Sequence, residues 1–478
     1  MIKFLNEAIC SFRKCFTRLA TFSWFVVIVI GIMVRTDRLG ATSSVMRSLG
    51  LYSQYESLNK YFRSDAWNLH DMEKSWGHYI NANAPVVRVA GAAVLPGDGI
   101  KVAKEGKRMP GVKRLHQESE NSSKPEYIHG LMFGSIGVLV EKNDKEFCVP
   151  LGCEVQDGIR EIMSWEYKEG ERQGSHVVET IKLGHRVSEP FGNSILLLDR
   201  YFQTAPAYKQ LAELNDNNER VQAIIMAKSN AIAYEEPPIR TPRTRGRPRL
   251  KGESVKLLSL FNEKAGEFKT VSLKIYGNKQ DIRYYSTDLL WGKGLYRKLR
   301  FVLVEYGDTR TIISCTDLSL DPAEIVRLYS KRFKIECTFK SMNQDVAAFA
   351  NRFWTHDMPK LNRFAKSSDP DRSTGIKDER ARRNVRKALD ASEGYVFCGA
   401  VALGLLQMLS LLFFNGDTGL KLRYLRTSSK TVPSEATVAD WLRKNIFRLL
   451  PTNKDLTISQ IILGKMDANL AFYEDATA

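Results

Sequence analysis

Three acidic side chains stand where chemistry could be done. Asp98 lies in LPGDGIKV, between two glycines at the mouth of an apolar run. Asp199 closes ILLLD, directly after residues that read as a central strand, and in open α/β sheets such strand ends are where sites gather. Glu336 lies in LYSKRFKIECTFK, where Tyr329, Arg332 and Glu336 fall at i, i+3 and i+7, one face of a single helix. Ile335, Cys337 and Phe339 flank that glutamate, which predicts partial enclosure, and an enclosed carboxylate is costly unless it finds a partner. Carboxylate oxygens are hard ligands, so the set suits Mg²⁺ or Mn²⁺. Each acid also has a plainer use: Asp98 in an Asp-Gly turn, Asp199 as a helix cap, Glu336 as the i, i+4 partner of Arg332 on a solvated face.

A sheet and a helix are needed to bring these positions together, and the pattern along the chain supplies both. Residues 1–85 read as helices. From 86 to 227 the pattern changes to short Val/Ile/Leu-rich strands at 98–103, 133–141, 146–154 and 195–199, then a helix at 204–215 and a strand at 221–227. Residues 228–316 look like a β-rich insertion with strands at 269–276, 282–286 and 299–315. From 317 to 415 the pattern is helical again, opened by Asp321-Pro322 as cap and first-turn proline, and 416–478 form a C-terminal helical region. The fold class predicted is α/β, a mixed sheet with helices.

Lys and Arg number 71 against 54 Asp and Glu, a formal charge of +17. That balance favours a polyanionic partner, nucleic acid above all. The densest run is RTPRTRGRPRLK at 240–251, which carries Arg243, Arg245, Arg247 and Arg249 and no acid. Its RGRP core resembles an AT-hook, whose guanidiniums enter a narrow A·T-rich minor groove; a loop gripping phosphates is the simpler use. The seven cysteines are scattered without a C-x-x-C, which reads as reduced and intracellular. Two apolar runs, 22–34 and 395–414, invite a membrane reading. The first falls short of the ~18 residues of a spanning helix. The second is long enough, but carries Gln407 and Ser410 and has basic residues on both sides, without the asymmetry that orients a span. Both are predicted to be buried helices, with Gln407 paired inside the protein and no membrane partner; a span at 395–414 is the alternative.

The motifs PGDGIKVAKEGKRMPG at 96–111, YIHG at 127–130, LLLDRYF at 196–202, RGRPR at 245–249, the Tyr329-Arg332-Glu336 segment and RFWT at 352–355 together resemble D-D-E insertion-sequence transposases. Within them the likeness is to the family four group, whose β-rich insertion separates the second Asp from the Glu. The resemblance covers roughly 85 to 415 and implies a ribonuclease-H-like catalytic domain in which Asp98, Asp199 and Glu336 hold two Mg²⁺ ions. It implies Tyr329 and Arg332 near the DNA backbone, and a Lys seven residues after the Glu. Here that position is Asn343, and Lys340 shares a helix face with Glu336 instead. Trp291 lies in the insertion where relatives can carry an aromatic that stacks on an extruded base; a packed core tryptophan is the other use. The implied activity is metal-dependent cleavage of transposon ends and 3′-hydroxyl strand transfer into target DNA. The implied partners are terminal inverted repeats, target DNA and a second copy of the chain, in the cytoplasm on the nucleoid, with residues 1–85 serving DNA-end binding or assembly. A decayed relative that binds DNA without cutting it is the alternative that Asn343 suggests.

Overall fold

The computed structural model describes residues 1–36, 41–117, 125–165, 172–216, 218–239, 248–275, 277–364, 370–414 and 432–466. The chain opens with helices α1 (Ile2–Cys10), α2 (Leu19–Val34), α3 (Ala41–Arg47), α4 (Tyr55–Phe62) and α5 (Leu69–Asn83). Helix α2 is apolar on every side and almost every residue of it is buried, as a helix without a polar face must be. Asn68 caps α5 by accepting from His70 N and Asp71 N at 2.9 and 3.2 Å.

The strands that follow are β1 (Arg88–Val89), β2 (Ala92–Ala103), β3 (Lys113–His116), β4 (Tyr127–Lys142) and β5 (Lys145–Val155). After α6 (Arg160–Ser164) and α7 (His176–Val187) come β6 (Ser194–Leu198), α8 (Ala205–Asn215) and β7 (Val221–Met226). In the spatial order β5, β4, β2, β6, β7, the first three are antiparallel and β2, β6 and β7 run parallel. Strand β6 is buried throughout, as a parallel strand covered on both faces should be.

The same sheet continues through the β-rich stretch. β13 (Thr309–Cys315) pairs with β7, β12 (Arg297–Tyr306) with β13, and β11 (Asn278–Trp291) with β12; β8 (Ile232–Tyr234), β9 (Ser254–Lys256) and β10 (Lys269–Ile275) finish that edge, with the short α9 (Leu260–Glu263) between β9 and β10. The expected single strand at 299–315 is therefore two, reversed at Gly307, whose φ of 53° suits glycine. The α/β class with a mixed sheet is as expected.

The chain then passes through α10 (Pro322–Tyr329), α11 (Lys334–Gln344), α12 (Glu379–Phe413), α13 (Glu435–Thr452) and α14 (Thr457–Leu463). α12 packs on β5 and α2. It is the one described helix long and apolar enough to cross a membrane, and 89% of its apolar window is buried inside the protein. Gln407 corrects the expectation of a paired amide: its Oε1 is buried and has no hydrogen-bond partner among the described residues. Arg443 of α13 donates to Val34 O and Arg35 O at 2.9 and 2.8 Å, satisfying carbonyls that the end of α2 leaves open.

Four buried charges and the half-buried Arg186 tie the layers together. Arg186 of α7 meets Glu73 of α5 at 3.2 Å and Glu154 of β5 at 2.8 Å. Arg172 pairs with Glu393 of α12, whose Oε1 also accepts from Val155 N at 2.8 Å.

Candidate active site

The parallel pairing of β2 and β6 matches Pro96 with Leu197. Asp98 and Asp199 each lie two residues further on, just past the paired stretch, and the two line one cleft. Asp98 is a mid-strand residue opposite Ser135 of β4, not the turn residue that Asp-Gly allowed. Its flanking glycines serve close approach: a Cβ on Gly97 would run into Ile136 and Leu198, and one on Gly99 would lie 2.5 Å from Met132 Cε and 2.7 Å from His176 Nε2.

Asp98 Oδ1 accepts from Gly99 N at 2.7 Å. Asp199 Oδ1 accepts from Tyr201 N at 2.8 Å, so Asp199 does cap the short turn after β6. Burial, and then the charge of Asp199, pushes the Asp98 carboxyl up from its ordinary 3.8 to about 6. Burial also raises Asp199, against the pull of the Tyr201 N–H and Arg332. Two acids placed side by side in a half-buried cleft resist carrying two charges together.

Tyr329, Arg332 and Glu336 do not share one helix. Tyr329 ends α10, Glu336 lies in the first turn of α11, and a tightened linker at 330–333 carries Arg332. The linker swings Arg332 over the strand ends. Its Nη1 donates to Asp98 Oδ2 at 3.0 Å and its Nη2 to Glu336 Oε1. Burial opposes the guanidinium charge, but Asp98, Tyr329 and Glu336 outweigh it and hold Arg332 above its ordinary value. The expected enclosure of Glu336 is not found: its side chain is 56% exposed. Ile335, Thr338, Phe339 and Met342 are the buried residues of α11, and Glu336 lies off that face.

Among the described residues no group of three His, Cys, Asp or Glu side chains is close enough to hold a metal ion. The three acids therefore do not converge as expected: Asp98 and Asp199 meet, and Glu336 joins them only through Arg332. The donor chemistry nevertheless fits a hard divalent cation. Asp98 and Asp199 bring two carboxylates to one cleft, and carboxylate oxygens are the hard donors such a cation takes.

His176, at the start of α7, escaped the reading of the sequence. It lines, with Asp98, Asp199, Lys101 and Tyr201, a cleft of about 340 Å³. Burial, with Lys101 adding to it, lowers the imidazole to about 4, so it is neutral near pH 7. Its buried Nδ1 has no hydrogen-bond partner among the described residues. No motif surrounds it, and no spacing links it to either Asp. On the other side of Asp199, Tyr329, Arg332, Arg200 and Phe333 line a second cleft of about 230 Å³. Burial raises the Tyr329 phenol, against the pull of Arg332.

The remaining candidates lie apart from the acids. Lys340 and Asn343 are exposed on α11, and Arg249 is exposed before β9. Arg243, Arg245 and Arg247 lie outside the described residues. Lys251, at the end of the same basic run, sits 3.5 Å from the Tyr234 ring centroid and 5.6 Å from that of Tyr296. Trp291 packs on Tyr208 with ring centroids 5.2 Å apart. No protein-family model and no curated protein matches this sequence.

Proposed function

We propose that the chain is a metal-dependent DNA transposase of the D-D-E type, cutting element ends and joining the freed 3′-hydroxyl to a target strand. The observation that carries the reading is the pairing of β2 and β6, past which Asp98 and Asp199 line one cleft, beneath an Arg332 that reaches both Asp98 and Glu336. The strand order β5, β4, β2, β6, β7, antiparallel and then parallel, supports a ribonuclease-H-like catalytic domain. The charge of +17 supports a DNA partner.

Asp98 and Asp199, with Glu336 once Arg332 releases it, would hold the Mg²⁺ ions, which when bound activate the attacking water or 3′-hydroxyl and stabilise the leaving oxygen. Arg332 would then grip phosphate, for which a guanidinium is suited. Tyr329 walls the cleft beside it. His176, neutral near pH 7, adds no charge to the cleft it shares with Asp98 and Asp199.

The test is nicking of a labelled terminal repeat in Mg²⁺ or Mn²⁺. Asp98→Asn, Asp199→Asn and Glu336→Gln should each abolish cutting while DNA binding persists, since amides keep the shape and remove the charge. An amide variant that cuts at the wild-type rate removes that residue from the site. Asn343 favours a second reading, a DNA-binding relative without catalysis; it holds if the wild type never cuts its own ends.

A further inference from the structure

Two motifs have no part in the proposed chemistry, YIHG at 127–130 and RFWT at 352–355, and the fold brings them to one place. His129, Arg352 and Trp354 line a cleft of about 910 Å³, walled also by Tyr55 and Arg63 of α4 and by Arg363. The volume lies in the range that small-molecule sites occupy. Lys104, just beyond the end of β2, forms its base. The side chain is only 6% exposed, and its ammonium donates to Phe349 O at 2.5 Å, Asn351 O at 2.7 Å and Asn351 Oδ1 at 3.2 Å. All three are neutral acceptors. Burial, and then the charge of Arg352, lowers this lysine to about 7.

The cleft is strongly unbalanced in charge. Arg63, Arg352, Arg363 and Lys104 line it against one carboxylate, Glu105, which lies 3.2 Å from Arg352. Arg63 Nη2 donates to Trp354 O at 3.1 Å, fixing the backbone that presents the indole. Trp354 is 46% exposed and has only the edge of His356 beside it, ring centroids 4.8 Å apart. A simple anion would leave the indole idle, and an apolar ligand would leave the excess of positive charge unanswered. A phosphate joined to a planar ring satisfies both.

We propose that this cleft binds a nucleotide unit, its phosphate on Arg63, Arg352 and Arg363 and its base against Trp354. The site is separate from the acidic one: Asp98 and Lys104 are six residues apart along an extended strand, about 20 Å. It does not depend on the proposed catalysis. The nucleotide comes either as a free molecule or as an unpaired residue of a DNA strand.

Binding of the full chain in EDTA distinguishes these sources, with cutting excluded. The probes are dAMP, a single-stranded oligonucleotide carrying 2-aminopurine, and the same sequence as duplex. Stacking is lost in Trp354→Ala, which should weaken the single strand about tenfold or more, whereas Trp354→Phe should restore most of it. Arg352→Ala should weaken binding and lower the salt slope by about 0.7. Competition by dAMP assigns the site to free nucleotides as well; binding of the strand without dAMP assigns it to DNA. Thermal melts matching wild type confirm that the variants fold. If Trp354→Ala and Arg352→Ala bind both dAMP and the single strand as wild type does, or if the chain binds neither, the proposal is wrong. A chain that cuts nothing still passes or fails this test on binding alone.

Discussion

Two sets of three carboxylates among the described residues, each linked by arginine, differ in how their charge is answered. Glu73, Glu154 and Glu393 lie fully inside, where Arg172 and Arg186 reach all three and Val155 N supports one. Burial raises Glu393, and raises Glu73 to about 7, while both guanidiniums are held above their ordinary values by the acids, which outweigh burial. Asp98 and Asp199 line one cleft at a sheet mouth, where Arg332 pairs with Asp98 and Glu336 and where Lys101 and Arg200 also lie. The first cluster closes its three carboxylates away from solvent and binds helices and sheet to one another. The second is open to solvent, Glu336 most of all. Two similar sets of residue types thus acquire different work from burial and counter-charge alone.

The largest test breaks the closed cluster. Removing one partner of a buried ion pair strands the other, at a cost of about 3–5 kcal/mol. Arg172→Ala should therefore lower the urea midpoint sharply. Arg332→Ala breaks a half-buried pair with Asp98 and an exposed one with Glu336, and should cost less, between the ~1 kcal/mol of exposed pairs and the cost of a buried one. Equal losses from the two would erase the distinction between a structural and a functional cluster.

Much of the second cluster was readable because Asp98 and Asp199 sit at apolar runs that read as strands, and the ends of such strands in open α/β sheets are where sites gather. Glu336 misled because its neighbours in sequence are apolar, yet a helix turns by about 100° per residue. Ile335 and Phe339 can be buried while the acid beside them is exposed. The break at 330–333 is unmarked, since Ser-Lys-Arg-Phe contains neither Gly nor Pro. His176 and the closed cluster were illegible for another reason: their members come from remote elements, and only the packed fold brings them together.

A second test uses pH. The Asp98 carboxyl sits at about 6 in the folded chain against its ordinary 3.8, so the folded state holds its proton more tightly than the unfolded one does. The contribution is neutral well below pH 4 and turns unfavourable as pH rises through about 6. Two pH units at 1.36 kcal/mol each give about 3 kcal/mol. Asn does not titrate, so the stability of Asp98→Asn relative to wild type should increase by up to that amount between pH 4 and pH 7.5. A gap independent of pH would mean that Asp98 ionises as freely as in the unfolded chain, and that burial beside Asp199 does not hold its proton.

The smallest effect separates buried charge from buried polarity. Gln407 lies in the most apolar part of α12 with its Oε1 unpartnered among the described residues, so it gains nothing comparable to what the closed cluster gains from its arginines. A buried, unsatisfied polar atom costs about 1–3 kcal/mol. Gln407→Met keeps the length and flexibility of the side chain while removing the amide. It should raise the urea midpoint by the equivalent of about 1 kcal/mol, the low end of that range, because a substitution so deep in a packed helix loses part of the gain to imperfect fit. Glu393→Met, one face of the same helix nearer its start, should do the opposite, since it leaves Arg172 buried without its acid. If Gln407→Met instead destabilises the chain by as much as Glu393→Met, the amide has a partner that matters. α12 would then be held by polar bonds along its whole length, and not by ion pairs at one end and apolar packing at the other.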